Sequence, residues 1–508
     1  MIFLLAAVSL AVMWANPDMQ RQDKHLGTAG VGLLTGFLLF AWFMLLSRLP
    51  WRVRLLGGGA MLVAMVLAGV AFRRVFQVRG FTGDFLPIIE RRSTPRDSER
   101  IASATSLPPT VATPVQIQPT ADDFPQFMGP NRNCVVTGPK LATDWTANPP
   151  EELWRQPVGP AWSGFAIVGG VAVTQEQRGG EEVVIAYDLA TGRALWSHVD
   201  RAHYVTPIAG EGPRATPTIQ GGKVFTLGAT GKLNCLELAT GKAVWSANVV
   251  TQHKNRVPEW GLASSPLVVS NLVIVHPGKD KPALVAHHRD TGELVWTAGA
   301  DASSYGSPFS ATLAGVEQIL SFNNASISAH APATGEVLWT HPWNANQPKV
   351  ALPVLLPDDR VLFSSGYGVG AELLHVTRDD SGKLSARQLW KTLKLKAKFT
   401  NLIHKDGHIY GLDDGIMVCL EAASGQQKWK DGRYGHGQIV LTGNLLVVMA
   451  ETGDVALVEP APDQLRELAR IKVFTDKTWN PPALSGDRLL VRNHKEAACY
   501  RLPTVSGR

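Results

Sequence analysis

The chain has 508 residues, of which 45% are hydrophobic and 18% are charged, with 49 lysines and arginines against 43 acidic residues. This length and composition exclude a disordered chain and point to a large folded body with a membrane-associated part. The basic excess is small, and basic residues do not cluster among aromatic ones, which argues against a nucleic-acid partner.

The first 80 residues are predicted to form a membrane anchor. Residues 28–46 and 55–72 are uncharged apolar runs, long enough as helices to cross roughly 30 Å of hydrocarbon. Residues 2–15 form a shorter apolar run. It fits a short span, a signal-peptide core or the remnant of a longer segment. The sequence therefore predicts two or three transmembrane helices.

Arginines give conflicting signals about orientation. Arg48, Arg52 and Arg54 lie between the two long spans, and a cytoplasmic position for this short loop exports the rest of the chain. Three more arginines within residues 73–79 favour the opposite orientation. We favour the exported orientation.

Residues 81–123 are predicted to be a linker. The stretch from 93 to 122 is rich in Pro, Thr, Ser and Ala and nearly free of aromatic residues. Such a segment cannot bury enough apolar surface to fold by itself. We therefore expect a tether between the anchor and the folded domain.

Six related stretches, such as YDLATGRALW and CLELATGKAVW, recur between residues 187 and 429, and their terminal tryptophans lie 39 to 51 residues apart. That period is typical of repeat architectures. Apolar runs before each small-residue turn predict strand, turn and strand. In five units a glycine that can supply a positive φ lies four residues before the tryptophan, namely Gly192, Gly241, Gly292, Gly335 and Gly425. The fifth unit has Gly382 eight residues before Trp390, which predicts a longer turn.

The units predict an all-β propeller of eight blades. A seventh unit, residues 438–471, keeps the strand pattern without the glycine and tryptophan, and the C-terminal stretch supplies three strands and stops. Trp154 resembles a last-strand tryptophan with no unit before it. Its strand is expected to complete the eighth blade, so that the ring has no open edge. The alternative is seven blades, with the Trp154 strand outside the ring.

These motifs resemble the PQQ-like repeat, A-x-D-x-x-T-G-x-x-x-W, named for quinoprotein alcohol dehydrogenases and shared with the eight-bladed lipoprotein of the outer-membrane protein assembly machinery. The resemblance covers about residues 124–502. The segment FPQFMGPNRNCVVTG is similar to the entry motif of a bacterial subgroup of membrane-anchored PQQ-binding-like propellers, although Cys134 replaces the usual glycine. The resemblance implies a propeller over residues 124–508 in the periplasm, anchored in the inner membrane. It says little about function, because one fold serves many functions.

Cysteines are expected to be structural. Cys235, Cys419 and Cys499 occupy the same place in three different units, as small buried hydrophobic residues do. Cys134 has no evident partner. No cysteine or histidine spacing indicates a metal or haem site.

A quinoprotein dehydrogenase would need calcium, a carboxylate base and a flat slot for the quinone. Glu176 and Asp413 are the candidate catalytic carboxylates. Further candidates are Asp414, Glu451, Asn323, Asn324 and Asn401 as calcium ligands and Trp162, Trp260 and Trp479 as slot walls. About 44 residues per blade leave no room for the long inserted loops that build such a site. No cofactor or metal is therefore expected, and pyrroloquinoline quinone with calcium belongs to the alternative interpretation.

The favoured hypothesis is a non-catalytic scaffold that binds an envelope protein or peptide on one propeller face, with a small anionic ligand in the channel as a further candidate. The alternatives are the dehydrogenase and a sensor that signals through the spans. The predicted binding face comprises Trp162, Gln175, Glu176, Arg214, Trp260, Tyr305, Lys349, Asn401, Tyr434, His436, Lys477, Trp479 and Asn480.

Overall fold

The computed structural model describes residues 1–16, 19–104, 106–108, 114–343 and 346–505. The chain divides into two units. The first consists of Met1–Arg96 with Pro207–Gly210, and the second consists of Asp97–Thr206 with Glu211–Arg508.

The first unit contains three helices and a hairpin: α1 (Ile2–Ala15), α2 (Arg21–Leu45), α3 (Trp51–Val75), β1 (Phe76–Phe81) and β2 (Pro87–Arg91). Helices α2 and α3 have 25 residues each and are long and apolar enough to cross a membrane. Both extend beyond the apolar runs predicted from the sequence. The reason is that polar residues such as those at 21–23 continue the helical hydrogen bonding past the apolar part.

The second unit begins with α4 (Asp97–Ala104), β3 (Val135–Val136) and β4 (Glu151–Pro157). Four-stranded antiparallel sheets, here numbered as blades, then follow in chain order. Blade 1 consists of β5 (Ala166–Val168), β6 (Val171–Arg178), β7 (Glu181–Asp188) and β8 (Ala194–Asp200). The short strands β9 (Val205–Thr206) and β10 (Gly210–Glu211) come next in the chain. Blade 2 consists of β11 (Thr218–Gln220), β12 (Lys223–Leu227), β13 (Lys232–Glu237) and β14 (Ala243–Asn248), followed by α5 (Val249–Gln252).

Blades 3 to 5 repeat this arrangement. Blade 3 consists of β15 (Leu267–Val269), β16 (Leu272–Val275), β17 (Leu284–His288) and β18 (Leu294–Ala298). Blade 4 consists of β19 (Phe309–Leu313), β20 (Val316–Phe322), β21 (Ser326–His330) and β22 (Val337–Pro342). Blade 5 consists of β23 (Val354–Leu356), β24 (Arg360–Ser365), β25 (Gly370–Arg378) and β26 (Leu384–Thr392), whose last two strands are the longest of the set, at nine residues each.

Blade 6 consists of β27 (Ile403–Lys405), β28 (His408–Asp413), β29 (Ile416–Glu421) and β30 (Gln427–Arg433). Blade 7 consists of β31 (Gln438–Thr442), β32 (Leu445–Met449), β33 (Asp454–Glu459) and β34 (Arg466–Lys472), with β3 added parallel to β31. Blade 8 consists of β35 (Ala483–Ser485), β36 (Arg488–Arg492) and β37 (Glu496–Arg501).

The fourth strand of blade 8 is β4, which pairs antiparallel with β37 and places Trp154 opposite Cys499. The described residues therefore form eight blades, and the eighth combines strands from near both ends of the propeller sequence. The seven-bladed alternative is wrong. Ring closure therefore gives blade 8 four strands, as in the other blades.

First strands of successive blades contact one another, as β11 does with β5 and β15, and β23 with β27. They therefore line the central channel, while fourth strands such as β14 and β34 consist mostly of exposed and half-buried residues at the rim. The second and third strands are almost entirely buried, and their apolar side chains form the core between blades.

The repeat tryptophans link each blade to the next. The indole Nε1 atoms of Trp154, Trp196 and Trp245 donate to the backbone oxygens of residues 189, 238 and 289 in the following blade. A Cβ atom on Gly192, Gly292, Gly335 or Gly425 would lie 2.6–2.7 Å from the ring of the preceding blade's tryptophan. These turns therefore need glycine for the positive φ and for the close approach of the indole.

Blade 5 departs from this arrangement. Its turn has Gly382 farther from the tryptophan, as the sequence predicts, and the preceding Trp339 donates instead to the Gln318 Oε1 atom within blade 4. The indole is thus satisfied inside its own blade.

All four cysteines are buried free thiols. Cys235, Cys419 and Cys499 each lie opposite a tryptophan in the neighbouring strand. This agrees with the expectation that they pack as small hydrophobic residues in separate blades.

The predicted linker is not a uniform tether where the structure describes it. Helix α4 buries Ser98 and Ile101, and the Gly179 amide in blade 1 donates to the Ser98 carbonyl oxygen at 2.9 Å. Farther on, Val115 and Ile117 pack against the apolar cluster that contains Leu195. The composition argument fails here because the blade provides the apolar surface that the segment lacks.

Candidate functional site

Loops that join the fourth strand of one blade to the first strand of the next carry most of the predicted site residues. Trp162, Arg214, Tyr305, Tyr434 and Trp479 each lie four residues before a first strand. Since first strands line the channel, these loops lie around one end of it. Strand geometry therefore gives several predicted residues the same position in different blades.

Aromatic rings from these loops form one continuous group, here called the aromatic cluster: Trp162, Trp260, Tyr305, Tyr367, Phe399, His436 and Trp479. The ring centroids of Trp162 and Trp479 are 4.8 Å apart, and those of Phe399 and Trp479 are 4.9 Å apart. Trp260 stacks on Tyr305 at 5.0 Å. Such distances are typical of packed aromatic pairs.

The aromatic cluster crosses the channel axis. Trp260 precedes blade 3 and Phe399 precedes blade 6, yet their centroids lie 6.2 Å apart. Loops three blades apart in an eight-bladed ring meet only near the axis. The cluster therefore fills this end of the channel with side chains.

Two lysines lie over these rings. The Lys477 Nζ atom is 3.9 Å from the ring centroid of Trp479 and 4.8 Å from that of Trp162. Lys398 Nζ lies 4.8 Å from the centroid of Tyr367. Burial lowers the pKa of Lys477 to about 8, and the negative charge of Glu451 opposes that shift. The cluster thus combines aromatic faces with positive charge, which attracts anions and acidic groups.

Glu451 holds part of the cluster in place. Its Oε1 atom accepts a hydrogen bond from the Trp479 indole at 3.0 Å, and its Oε2 atom accepts one from the His436 amide at 2.9 Å. The carboxylate therefore fixes the loops before blades 7 and 8 relative to each other.

Arg214 and Lys349 lie beside the cluster. The Arg214 guanidinium stacks on Tyr204 at 4.5 Å, and burial lowers its pKa to about 10. Lys349 is fully buried, donates from Nζ to the Asn324 carbonyl oxygen, and has its pKa lowered to about 8 by burial. The Tyr305 amide donates to the Lys349 carbonyl oxygen at 3.0 Å, which connects this loop to the cluster.

Other predicted face residues are buried and join loops and blades. Gln175 Nε2 donates to the Ala215 carbonyl oxygen at 2.7 Å. Asn480 Nδ2 donates to the carbonyl oxygens of residues 161 and 163. Asn401 bonds Leu352 and Gln438, and Tyr434 donates to Glu467. These contacts indicate structural roles.

The candidate catalytic carboxylates are engaged by cations. Glu176 is fully buried, pairs with Arg178 at 2.6 Å and accepts from the Gly159 amide at 2.7 Å. Asp413 is held between Lys396 at 2.9 Å and Lys430 at 2.6 Å. Lysines and arginines at these distances compete with a calcium ion for the carboxylate oxygens.

Remaining ligand and slot candidates do not fit a quinone site either. Asp414 lies in a turn with φ +51°, and Asn323 bonds Ser321 and Ser328 within blade 4. The rings of Trp162 and Trp479 contact each other directly. A planar ring bound between two indoles would need the two indole planes to be about 7 Å apart. As placed, these two indoles leave no slot between them for a planar ring.

Sequence reasoning missed Tyr367, Lys398 and Phe399. Phe399 lies four residues before β27, the same register as Trp162 and Trp479, so that register was a usable signal. Tyr367 belongs to the turn between β24 and β25, and nothing local in the sequence relates it to the loops.

The repeat, the closure and the channel-lining strands agree with the sequence comparison. The family model of the outer membrane protein assembly factor BamB matches residues 118–258 and 210–431, together more than half of the chain. The chain belongs to this family of PQQ-like propellers. Among curated protein sequences, none gives a significant match.

Solved structures show the same fold. BamB from Moraxella catarrhalis is 14% identical, with a TM-score of 0.52 over 70% of this chain and 100% of that one. Quinohemoprotein alcohol dehydrogenase ADHIIG from Pseudomonas putida HK5 is 13% identical, with a TM-score of 0.54 over 76% of this chain and 82% of that one. The computationally designed protein Ika8 is 14% identical, with a TM-score of 0.51 over 69% of this chain and 100% of that one. The fold thus occurs in an assembly factor, an oxidoreductase and a designed protein.

Proposed function

We propose that the protein is a membrane-anchored, non-catalytic propeller that binds an envelope protein through the aromatic cluster. The observation that carries this proposal is the convergence of aromatic and cationic side chains from different blades at one end of the channel. Tryptophan, tyrosine and arginine supply much of the binding energy in protein interfaces. A rigid ring of blades holds them with little entropy to lose on binding.

The charge around the cluster favours an acidic partner. Lys398 and Lys477 lie over the rings, with Arg214 beside them. Glu451 already accepts hydrogen bonds from Trp479 and His436. The proposed partner segment therefore combines an apolar or aromatic residue with carboxylates.

Site-specific photo-crosslinking of the full chain in its native membrane tests this proposal. A benzoylphenylalanine at Tyr367 would replace one cluster ring with another, and the same group at the exposed Gln388 on β26 is the control. We expect one dominant adduct from position 367, absent from position 388 and reduced at least several-fold by Lys477→Glu. Equal adducts from both positions, or none from 367, would reject the proposed surface.

We also propose that the anchor lies in the inner membrane and the propeller in the periplasm. Two observations support this location. The loop between α2 and α3 is rich in arginine, which favours a cytoplasmic loop. The chain also belongs to the family named after the outer membrane protein assembly factor BamB. Alkaline phosphatase fused after residue 505 is expected to be active, and β-galactosidase fused there inactive. The reverse result would place the propeller in the cytoplasm.

The dehydrogenase is the alternative function, and we propose that the propeller works without the quinone. The support is the pairing of Glu176 and Asp413 with arginine and lysine. Calorimetric titration of the full chain with pyrroloquinoline quinone and calcium, followed by a dye-linked alcohol oxidation assay, separates the two functions. Tight binding with turnover would overturn the non-catalytic proposal, whereas no heat and no turnover supports it.

A further inference from the structure

The entry segment, residues 124–136, pairs with first strands as an added strand does. The Phe124 amide donates to the Ile167 carbonyl oxygen at 2.9 Å, and the Ile167 amide donates back at 2.7 Å. The Pro125 carbonyl oxygen accepts from the Ile219 amide at 2.7 Å. At the other end of the segment, the Cys134 carbonyl oxygen accepts from the Leu441 amide at 2.7 Å, where β3 runs parallel to β31.

Ile167, Ile219 and Leu441 occupy one equivalent position, the residue before the last in the first strand of blades 1, 2 and 7. In an antiparallel pair, alternate residues direct the amide and carbonyl away from the partner strand. At this position the groups point away from the second strand and into the channel. The entry segment therefore satisfies the channel-side backbone edge of three blades.

The same position in blades 3 to 6 lines a single cavity of about 510 Å³. The four residues there are Val268, Thr312, Leu355 and His404. Within the described part of the chain, no backbone hydrogen bond is found for their amides on the channel side. Four consecutive blades thus present an unpaired strand edge to one space.

The chemistry of the cavity wall suits a peptide backbone flanked by apolar side chains. Leu267, Phe309, Ala311, Leu352 and Val354 provide apolar lining, while the entry segment closes one side with Asn131 and Asn133. Arg132 is buried and binds the carbonyl oxygens of residues 265 and 266, which fixes the segment beside β15. The wall is therefore held by the propeller itself.

We propose that this cavity binds an extended peptide segment of a partner protein, which adds as a strand to β19 of blade 4, the longest of the four first strands and the one with the most residues in the cavity wall. The chain's own entry segment makes the same kind of contact in blades 1, 2 and 7. First strands have three to five residues, so the added strand pairs over a similar length. Main-chain hydrogen bonds give affinity in this binding mode, and the apolar wall selects small apolar side chains.

This peptide site is distinct from the aromatic cluster. Tyr305 belongs to the loop before β19, whereas Thr312 is the fourth residue of that strand, and the residues that line the cavity include none of the aromatic cluster. The test of this inference therefore does not depend on the proposed function of the cluster.

Selection from a phage-displayed library of random octapeptides, against the full chain in detergent, supplies the probe. The best synthetic peptide is then titrated calorimetrically into the wild type, Thr312→Pro and Thr312→Val. Proline removes the amide donor on an open strand edge, where it is tolerated, while valine keeps the donor and nearly the same volume. We expect about tenfold weaker binding to Thr312→Pro and less than about threefold change for Thr312→Val.

Amide hydrogen exchange of the wild type, measured with and without peptide, tests the proposal even if the Thr312→Pro variant does not fold. Saturating peptide is expected to slow amide exchange within 309–313, and Tyr367→Ala should leave peptide affinity unchanged. Failure to select any peptide, or protection of the loops around 305, 367 and 399 instead, would overturn the proposal. The proposal would also be overturned if this strand were protected in the absence of peptide and the protection disappeared on dilution. That result would mean that a second copy of the chain occupies the cavity.

Discussion

The two ends of the propeller channel are closed by different parts of the chain. At one end, side chains such as Trp260 and Phe399 meet across the axis. At the other, the backbone of the entry segment pairs with first strands of blades 1, 2 and 7. Side-chain closure can change one residue at a time without altering the blades. Backbone closure depends on a whole segment and leaves the strands that it does not reach unpaired.

Removing Arg132 should break the backbone-closed end and have the largest effect. Its guanidinium donates to the carbonyl oxygens of Pro266 at 2.8 Å and Ser265 at 2.9 Å. Arg132→Met removes both hydrogen bonds, and the Pro266 oxygen keeps only the one from the Thr218 hydroxyl at 2.6 Å. We expect the free energy of unfolding to fall by about 3 kcal/mol. Denaturant titration of the full chain in detergent, followed by tryptophan fluorescence, measures this.

The exposed Arg193, replaced in the same way, is the matched control and should change the free energy of unfolding by less than about 0.5 kcal/mol. Equal effects of the two substitutions would show that the entry segment is not held by Arg132.

Phe399→Ala should weaken the side-chain-closed end with a smaller effect on stability. Phe399 contacts the rings of Trp260, Tyr367 and Trp479 but is only half-buried. We expect the free energy of unfolding to fall by about 2 kcal/mol, and crosslinking from position 367 to be lost. Phe399→Leu keeps most of the apolar volume and should retain most of the stability. If Phe399→Ala lowered the free energy of unfolding more than Arg132→Met does, the side-chain-closed end would contribute more to stability than the backbone-closed end, contrary to our expectation.

Glu451 sharpens the comparison within the aromatic cluster. Glu451→Ala leaves the Trp479 indole and the His436 amide without their acceptor and is expected to cost about 1 kcal/mol of unfolding free energy. Glu451→Gln keeps an acceptor oxygen and should cost less. Identical results for the two variants would mean that the hydrogen bonds contribute nothing measurable.

The smallest expected effect is a pH dependence from Lys477. Its pKa is lowered from 10.5 to about 8 in the fold, so the folded state disfavours the protonated amine. Between about pH 8 and 10.5 the unfolded chain binds the extra proton, and stability therefore rises with pH in this window. Lys349 has the same shift and contributes in the same direction. Lys477→Met should remove part of the slope measured by denaturant titration at pH 8 and 10, and an unchanged slope would contradict this assignment.

Much of the ring was predictable because its signals are local. The Thr-Gly turns and tryptophans mark hairpins, and Trp154 without a unit of its own led to the shared eighth blade. Some residues of the predicted binding face lie together in the structure: Trp162, Trp260, Tyr305, His436 and Trp479 belong to the aromatic cluster, with Lys477 over it. Polar candidates such as Gln175 and Asn480 instead join loops and blades. The sequence does not distinguish these two roles, because a polar residue near the start of a strand can either bind a partner or hold a neighbouring loop.

The sequence by itself determined the repeat, the strand order, the apolar helices and the identity of the closing strand, because each depends on residues near one another in the chain or on a fixed period. Only the tertiary structure decided that Phe399 meets Trp260 across the axis, that α4 packs on blade 1, and that the entry segment pairs with the first strands of blades 1, 2 and 7. These contacts join residues that are distant in sequence, and they exist only once the ring has closed. No local pattern specifies which side chains then face the same space.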